Sequence, residues 1–161
     1  GEVVTISKEG ESLSREFRHH KVEIRSVEGG LEVFVNLPRR SDKALAGTWA
    51  AHLRNMARGV DEGFEYRLKA VFSHFPMSLK VDGKQFTITN LFGEKVPRVA
   101  KLPWTPEQVE VRVESKTDVV VKGADREKVG QTAANIERAC KIKKRDRRVF
   151  QDGVYIVSKG A

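Results

Sequence analysis

Ser41-Asp-Lys-Ala-Leu-Ala-Gly-Thr-Trp-Ala-Ala-His-Leu53 and Ala124-Asp-Arg-Glu-Lys-Val-Gly-Gln-Thr-Ala-Ala-Asn-Ile136 are the two stretches that decide the fold. A shift of 83 positions lays one on the other: Asp42 meets Asp125, Lys43 meets Arg126, Gly47 meets Gly130, Ala50 and Ala51 meet Ala133 and Ala134, and Leu53 meets Ile136. In the first, Leu45, Trp49, Leu53, Met56 and Val60 recur at helical spacing; in the second, Val129, Ala133, Ile136 and Cys140 do. The leading aspartates, Asp42 and Asp125, read as N-caps, since a side-chain oxygen there accepts from an otherwise unpaired N–H. The first helix is expected to end near Gly59–Gly63. Agreement of cap, stripe and preceding strands indicates a tandem duplication. Glycine inside a helix costs about 1 kcal/mol against alanine. Gly47 and Gly130 occupy matching places, which favours close approach of helix and sheet over a tolerated accident.

Outward from the helices, the pattern changes to strands. Val3–Ile6, Leu13–Phe17, Val22–Ser26 and Leu31–Val35 are short β-branched or alternating runs, separated by turns at Gly10 and Glu28-Gly29-Gly30. Val22, Ile24 and Ser26 alternate with Glu23 and Arg25, the period of a strand with one wet face. The scheme recurs in Phe64–Phe72, in Ser78–Val81 and Phe86–Thr89 flanking an Asp82-Gly83 turn, and in Val109–Val113 and Val119–Val121. The fold class is therefore α+β: two tandem repeats, each an antiparallel sheet packed against one main helix. Residues 1–75 form the first repeat and 76–161 the second, with the boundary in a strand or connection near Gly63–Phe75; no Ser/Gly-rich tether is visible.

Lysine and arginine outnumber aspartate and glutamate by 30 to 22, a net charge of +8 that points to an anionic partner. The excess is localised. Residues 1–75 carry 12 basic and 11 acidic side chains, residues 76–161 carry 18 and 11. Arg138-Ala-Cys-Lys-Ile-Lys-Lys-Arg-Asp-Arg-Arg148 alone holds seven basic residues against Asp146. Such a cluster neutralises phosphates and releases their counterions, and arginine adds bidentate geometry. Phe150 and Tyr155 follow, an aromatic–basic interleaving suited to irregular RNA. A solvated basic face or a targeting patch is the plainer alternative. The candidate RNA-binding residues are Lys141, Lys143, Lys144, Arg145, Arg147 and Arg148, with Tyr155 and Lys159 beyond them. Tyr155 either packs or touches RNA, and Asp152-Gly153 is read as the turn presenting this tail. Lys95, Arg98 and Lys101, in the Gly- and Pro-broken stretch Asn90–Lys101, form a second candidate loop.

Catalytic signatures do not occur: there is no G-x-G-x-x-G, no G-x-x-x-x-G-K-[ST] and no G-x-S-x-G. His19 and His20, beside a strand, are expected to point to opposite faces and so not to share a metal. Cys140, on the apolar face of a helix, reads as a buried small hydrophobe, and as the one cysteine it forms no internal disulfide. Asp146 and Asp152 stand too isolated for an acid–base pair. Trp49 is expected in the core, Trp104 at the surface or an interface. No cofactor, metal, small-molecule substrate or membrane partner is implied. The opening GEVVTISKEG is neither a signal peptide nor a basic targeting helix. A start at Gly1 without methionine is expected of a sequence that begins after processing or partway into a protein.

Gly130-Gln-Thr-Ala-Ala-Asn-Ile136, preceded by Val119-Val-Val-Lys-Gly123 and Asp125, resembles the second-domain helix of the ribosomal protein L-six family. Arg148-Val-Phe-Gln-Asp-Gly-Val-Tyr-Ile-Val-Ser-Lys159 resembles the C-terminal signature of its archaeal and eukaryotic branch, as do Ala70-Val-Phe-Ser-His-Phe-Pro76 and Leu91-Phe-Gly-Glu-Lys95. One departure is Arg138, where eukaryotic relatives often carry glutamine. The resemblance implies two α+β domains and a non-enzymatic place in the large ribosomal subunit, in the cytoplasm. It further implies rRNA contact near the base of the factor-binding stalk and the sarcin–ricin loop, made mainly by the second domain, with ribosomal proteins and translation factors as neighbours. It also implies a short leading segment before the first strand. A free-standing RNA-binding regulator and a small hydrolase or transferase on a similar scaffold are the rival classes. Co-sedimentation with intact large subunits separates the first, and a concave polar pocket would be required by the second.

Overall fold

The computed structural model describes residues 1–160. The chain divides into two compact units, Gly1–Glu62 and Gly63 onward. In the first, β1 (Glu2–Lys8) pairs antiparallel with β2 (Glu11–Phe17), and β3 (Val22–Val27) pairs antiparallel with β4 (Gly30–Val35). The turns fall at Glu9-Gly10 and Glu28-Gly29, where Gly10 and Gly29 take φ of +95° and +90°. Both hairpins pack against α1 (Arg40–Asp61), whose Trp49, Leu53 and Met56 share a core with Phe17 and Val22. The Phe17 and Trp49 rings meet edge to face at 5.1 Å.

Helix α1 starts two residues before Asp42, after Arg39; Asp42 is the third helical residue and its carboxylate reaches back to accept from the Arg39 N–H at 2.9 Å. That bond, ahead of the nearby cations, holds the Asp42 carboxyl below its usual range. His19 and His20 lie just after β2, so strand alternation does not apply; their rings sit 4.5 Å apart, and His19 Nδ1 accepts from the N–H groups of Lys21 and Val22. Gly47 is exposed, and a Cβ built there meets nothing within 4 Å; at Gly130 it would make ordinary contact with the Tyr66 ring at 3.6 Å. Close helix–sheet approach does not require either glycine.

The second unit contains β5 (Phe64–Val71), β6 (Ser78–Asp82), β7 (Gln85–Thr89), a short turn of helix at Leu91–Gly93, β8 (Arg98–Lys101), β9 (Val109–Val113), β10 (Asp118–Gly123), α2 (Arg126–Ala139) and β11 (Gly153–Gly160). Its strands form a sheet in the order β6-β7-β8 and another in the order β11-β5-β10-β9, all neighbours antiparallel. The compact units meet between Glu62 and Gly63, at the near edge of the Gly63–Phe75 stretch. Strand β5 belongs to the second unit because its hydrogen-bond partners are β10 and β11. Each unit leads two hairpins into a helix, β1–β2 and β3–β4 into α1, β7–β8 and β9–β10 into α2. The second adds β6 to one hairpin and β5 with β11 to the other. That order carries the duplication further than the helix identities did.

Asp125 caps α2 as expected, accepting from the Glu127 N–H at 2.9 Å. The helix stripe Val129, Ala133, Ile136 is fully buried among Phe86, Ile88, Val119, Val121 and Val154. Each large side chain there contributes about 1.5–3 kcal/mol of burial. At Gly123, a Cβ would stand 2.7 Å from the Gln108 carbonyl oxygen and 2.8 Å from Val129 Cγ2, so the close approach sits at a strand end. Trp104 is half-buried against this core, not an outlying surface group. Asp82 pairs with Gln85, so the β6–β7 turn is Gly83-Lys84, one residue later than read, with Gly83 at φ +56°. Strand β11 carries a register shift between Ile156 and Ser158, leaving Val157 exposed.

No helix among the described residues is long and apolar enough to cross a membrane. An exposed helix-interior glycine with open space around it predicts that Gly47→Ala stabilises the first unit by about 1 kcal/mol. In a Trp104→Phe background, where Trp49 alone reports, the urea midpoint should rise with the slope unchanged.

Candidate nucleic-acid interface

Helix α2 stops at Cys140, whose N–H bonds back to the Glu137 carbonyl. Continuing it would stack Lys141 on Arg145, Lys143 on Arg147 and Lys144 on Arg148 at i,i+4, each a destabilising like-charge pair. The chain leaves the helix instead, and residues 141–152 form a loop leading into β11. Ile142 and Phe150 are its apolar feet, packed against the core. Lys141, Lys143, Lys144, Arg145, Arg147 and Arg148 are all exposed between them.

The loop has fixed points. Asp146 accepts from the Arg148 N–H at 2.9 Å and from its guanidinium at 3.2 Å, and its carbonyl accepts from the Val149 and Phe150 N–H groups. The bond to the Arg148 side chain holds the Asp146 carboxyl below its ordinary range. Lys144 takes a left-handed φ of +57°. The Arg145 guanidinium lies 4.9 Å from the Phe150 ring centre and 5.5 Å from that of Phe92.

Arg98 has a different role from the one its charge suggested. Its guanidinium makes two bonds to Glu94, at 2.9 and 2.8 Å, and donates to the carbonyls of Ala139 at 3.2 Å and Lys141 at 2.5 Å. The side chain is only 18% exposed. Arg98 therefore ties β8 to the orphan carbonyls where α2 ends. Its bond to Glu94 pulls the Glu94 carboxyl down and raises Arg98 itself. The tether brings the 94–98 turn, with exposed Lys95, to the root of the basic loop. Lys101 is exposed further along β8, its carbonyl bonded by Asn135 of α2. Lys159 is exposed near the far end of β11, six residues from Gly153 and so about 20 Å along the strand. Residues 153–160 are this strand and not a tail presented by a turn. Tyr155 is half in and half out, its hydroxyl donating to the Gln151 carbonyl at 2.7 Å and its ionisation pushed up by burial. Cys140 is buried as expected, its thiol pushed up to about 11 by that burial.

A profile described as ribosomal protein L6 matches residues 75–153, from the approach to β6 through the basic loop. The chain is 49% identical over 145 residues to the large ribosomal subunit protein uL6 of Methanosphaera stadtmanae, covering 90% of this chain and 77% of that one. It is 46% identical over 154 residues to the uL6 of Archaeoglobus fulgidus, covering 96% and 76%. With the uL6 of Methanobrevibacter smithii it shares 45% identity over 156 residues, covering 97% and 85%. The chain belongs to the ribosomal protein L6 family.

In this L6-family chain the sequence reading missed one group of residues beside the loop. Asp152 is fully buried, and its Oδ1 accepts from the Ser73 N–H at 3.3 Å and the Ser73 hydroxyl at 3.2 Å, with His74 Nδ1 at 3.4 Å. The other oxygen has no hydrogen-bond partner among the described residues. His74 stacks on Phe150 at 5.2 Å. Asp152, thought isolated, thus pins the turn after β5 to the start of β11 and fixes the second foot of the loop. A carboxylate two residues from Phe150 and two from Val154 was the available signal.

Burial raises the Asp152 carboxyl, but the bonds from Ser73 and His74 outweigh it and leave the group below its ordinary range. Stability from a depressed carboxyl is present above its unfolded pKa of about 3.9 and is lost as pH falls through the lower folded value. Asp152→Asn should therefore cost the second unit about 1–2 kcal/mol near neutral pH, with the gap to wild type closing in acid. Unfolding curves at both pH values check this; a gap independent of pH would reject it. Arg98→Ala leaves Glu94 and two carbonyls without their donor and should cost about 2 kcal/mol. Amide exchange at residues 141–148 should speed up, while Lys95→Ala leaves it unchanged.

Proposed function

We propose that the chain is a structural, non-enzymatic constituent of the large ribosomal subunit whose second unit docks on rRNA backbone through the 141–148 loop. The observation carrying this reading is the loop itself: six exposed cations in eight residues, set between two apolar feet and tethered by Arg98. Cations already fixed in space lose less entropy when matched to a fixed array of phosphates. Lys95 at the adjoining turn belongs to the same surface. Lys101 and Lys159 belong to its periphery, and Arg98 acts by holding the loop instead of touching RNA. Most contacts position the protein and do not read bases. Residence in the cytoplasmic ribosome follows from membership of the family. The first unit is a spacer or a surface for neighbouring ribosomal proteins and translation factors. Attachment near the stalk base and sarcin–ricin loop completes the proposal, supported by the resemblance of residues 148–159 to the family signature.

With about six phosphates engaged, log K should fall against log salt with a slope of roughly −4 to −5. Replacing Lys143, Lys144, Arg145 and Arg147 together with glutamine should flatten that slope by roughly three and weaken incorporation into large subunits. Circular dichroism should show the fold unchanged. Filter binding across a salt series reads the slope, and a slope indifferent to the four substitutions would reject the assignment.

A further inference from the structure

Beside the loop, between the end of α2 and the start of β11, lies a cavity of about 470 Å³. Arg138, Lys141 and Arg147 line it, set against the single carboxylate of Glu137, and Ile142 gives it an apolar side. Tyr155 forms one wall. That ring is fixed at its hydroxyl end. Its hydroxyl is bonded to the Gln151 carbonyl at 2.7 Å, and its hydroxyl-bearing edge lies in ordinary packing range of Gly153, where a Cβ would stand 3.5 Å from ring carbons. Yet 38% of Tyr155 is accessible.

An aromatic wall offers a stacking surface to any base, because every base has a π-face. Arginines and a lysine around it offer partners to the phosphate on the same nucleotide. The volume falls within the range of about 300–1,000 Å³ that accommodates small-molecule-sized groups. A base inside a duplex cannot enter such a cavity; one that is unpaired and turned outward can. An acidic peptide would match the cations but would leave the aromatic wall unused. We infer that the cavity receives one unpaired nucleotide of the RNA partner, its base against Tyr155 and its phosphate among Arg138, Lys141 and Arg147. This rests on the rRNA-docking reading above and adds to it a preference for irregular over continuous helix.

The test compares a short RNA stem carrying one bulged 2-aminopurine with the same stem fully paired, using the full chain. The bulged RNA should bind about 10-fold more tightly, and its fluorescence should be quenched as the base stacks. Tyr155→Phe, which keeps the ring, should retain the preference and the quench, and Tyr155→Ala should abolish both. The quench in wild-type protein reads stacking even if the alanine variant folds poorly. Equal binding of both RNAs without quenching would overturn the inference while leaving backbone docking intact. Binding of neither RNA would remove both. An acidic peptide of equal charge competing as well as the bulged RNA would also overturn it, by showing a site for any polyanion.

Discussion

Six like charges packed into residues 141–148 repel one another, and much of the second unit serves to hold them in place. Repulsion at helical spacing ends α2, which is eight residues shorter than α1. Once the helix ends, its last carbonyls need donors, and Arg98 supplies them from β8. Hydrophobic anchoring at Ile142 and Phe150 offsets the remaining repulsion, and Asp146 cancels part of it from within. The basic surface is therefore a consequence of the core beneath it and not an appendage.

That dependence runs inward through few contacts. Phe150 is positioned by His74, His74 by Asp152, and Asp152 by the strand pairing that sets β11 next to β5. The charged loop and the four-stranded sheet are parts of one arrangement. A change buried under the loop, at Asp152 for instance, would reach the exposed cations without altering any of them.

How much of this was legible in the sequence follows from the range of each interaction. Alternation in Val22–Ser26 and the stripe from Trp49 to Val60 are local signals; strands β1 to β4 and α2 lie where the pattern puts them, and α1 begins at Arg40, ahead of Asp42. The Asp125 cap was local too. Asp42 misled because an aspartate at the third helical position has the same composition signature as one at the cap, and only backbone geometry separates them. Strand β11 was not visible, since its partner β5 lies more than eighty residues earlier and leaves no periodic mark of its own. Among the candidate site residues, the exposed run from Lys141 to Arg148 was readable as charge. Arg98 was not, because a sequence does not distinguish a cation facing solvent from one folded back onto carbonyl oxygens. The paired glycines were over-read: Gly47 has open space around it, and its match to Gly130 carries no packing requirement.

The slipped register in β11 has a consequence for the protein before it reaches its partner. As the terminal strand of its sheet, β11 presents a row of backbone groups open to strand addition by another copy. The bulge at Val157 breaks that row, and Lys159 sets a charge beside it. A newly made chain waiting for RNA is thereby shielded from sticking to its own kind, at the one border of the four-stranded sheet that adjoins the basic loop.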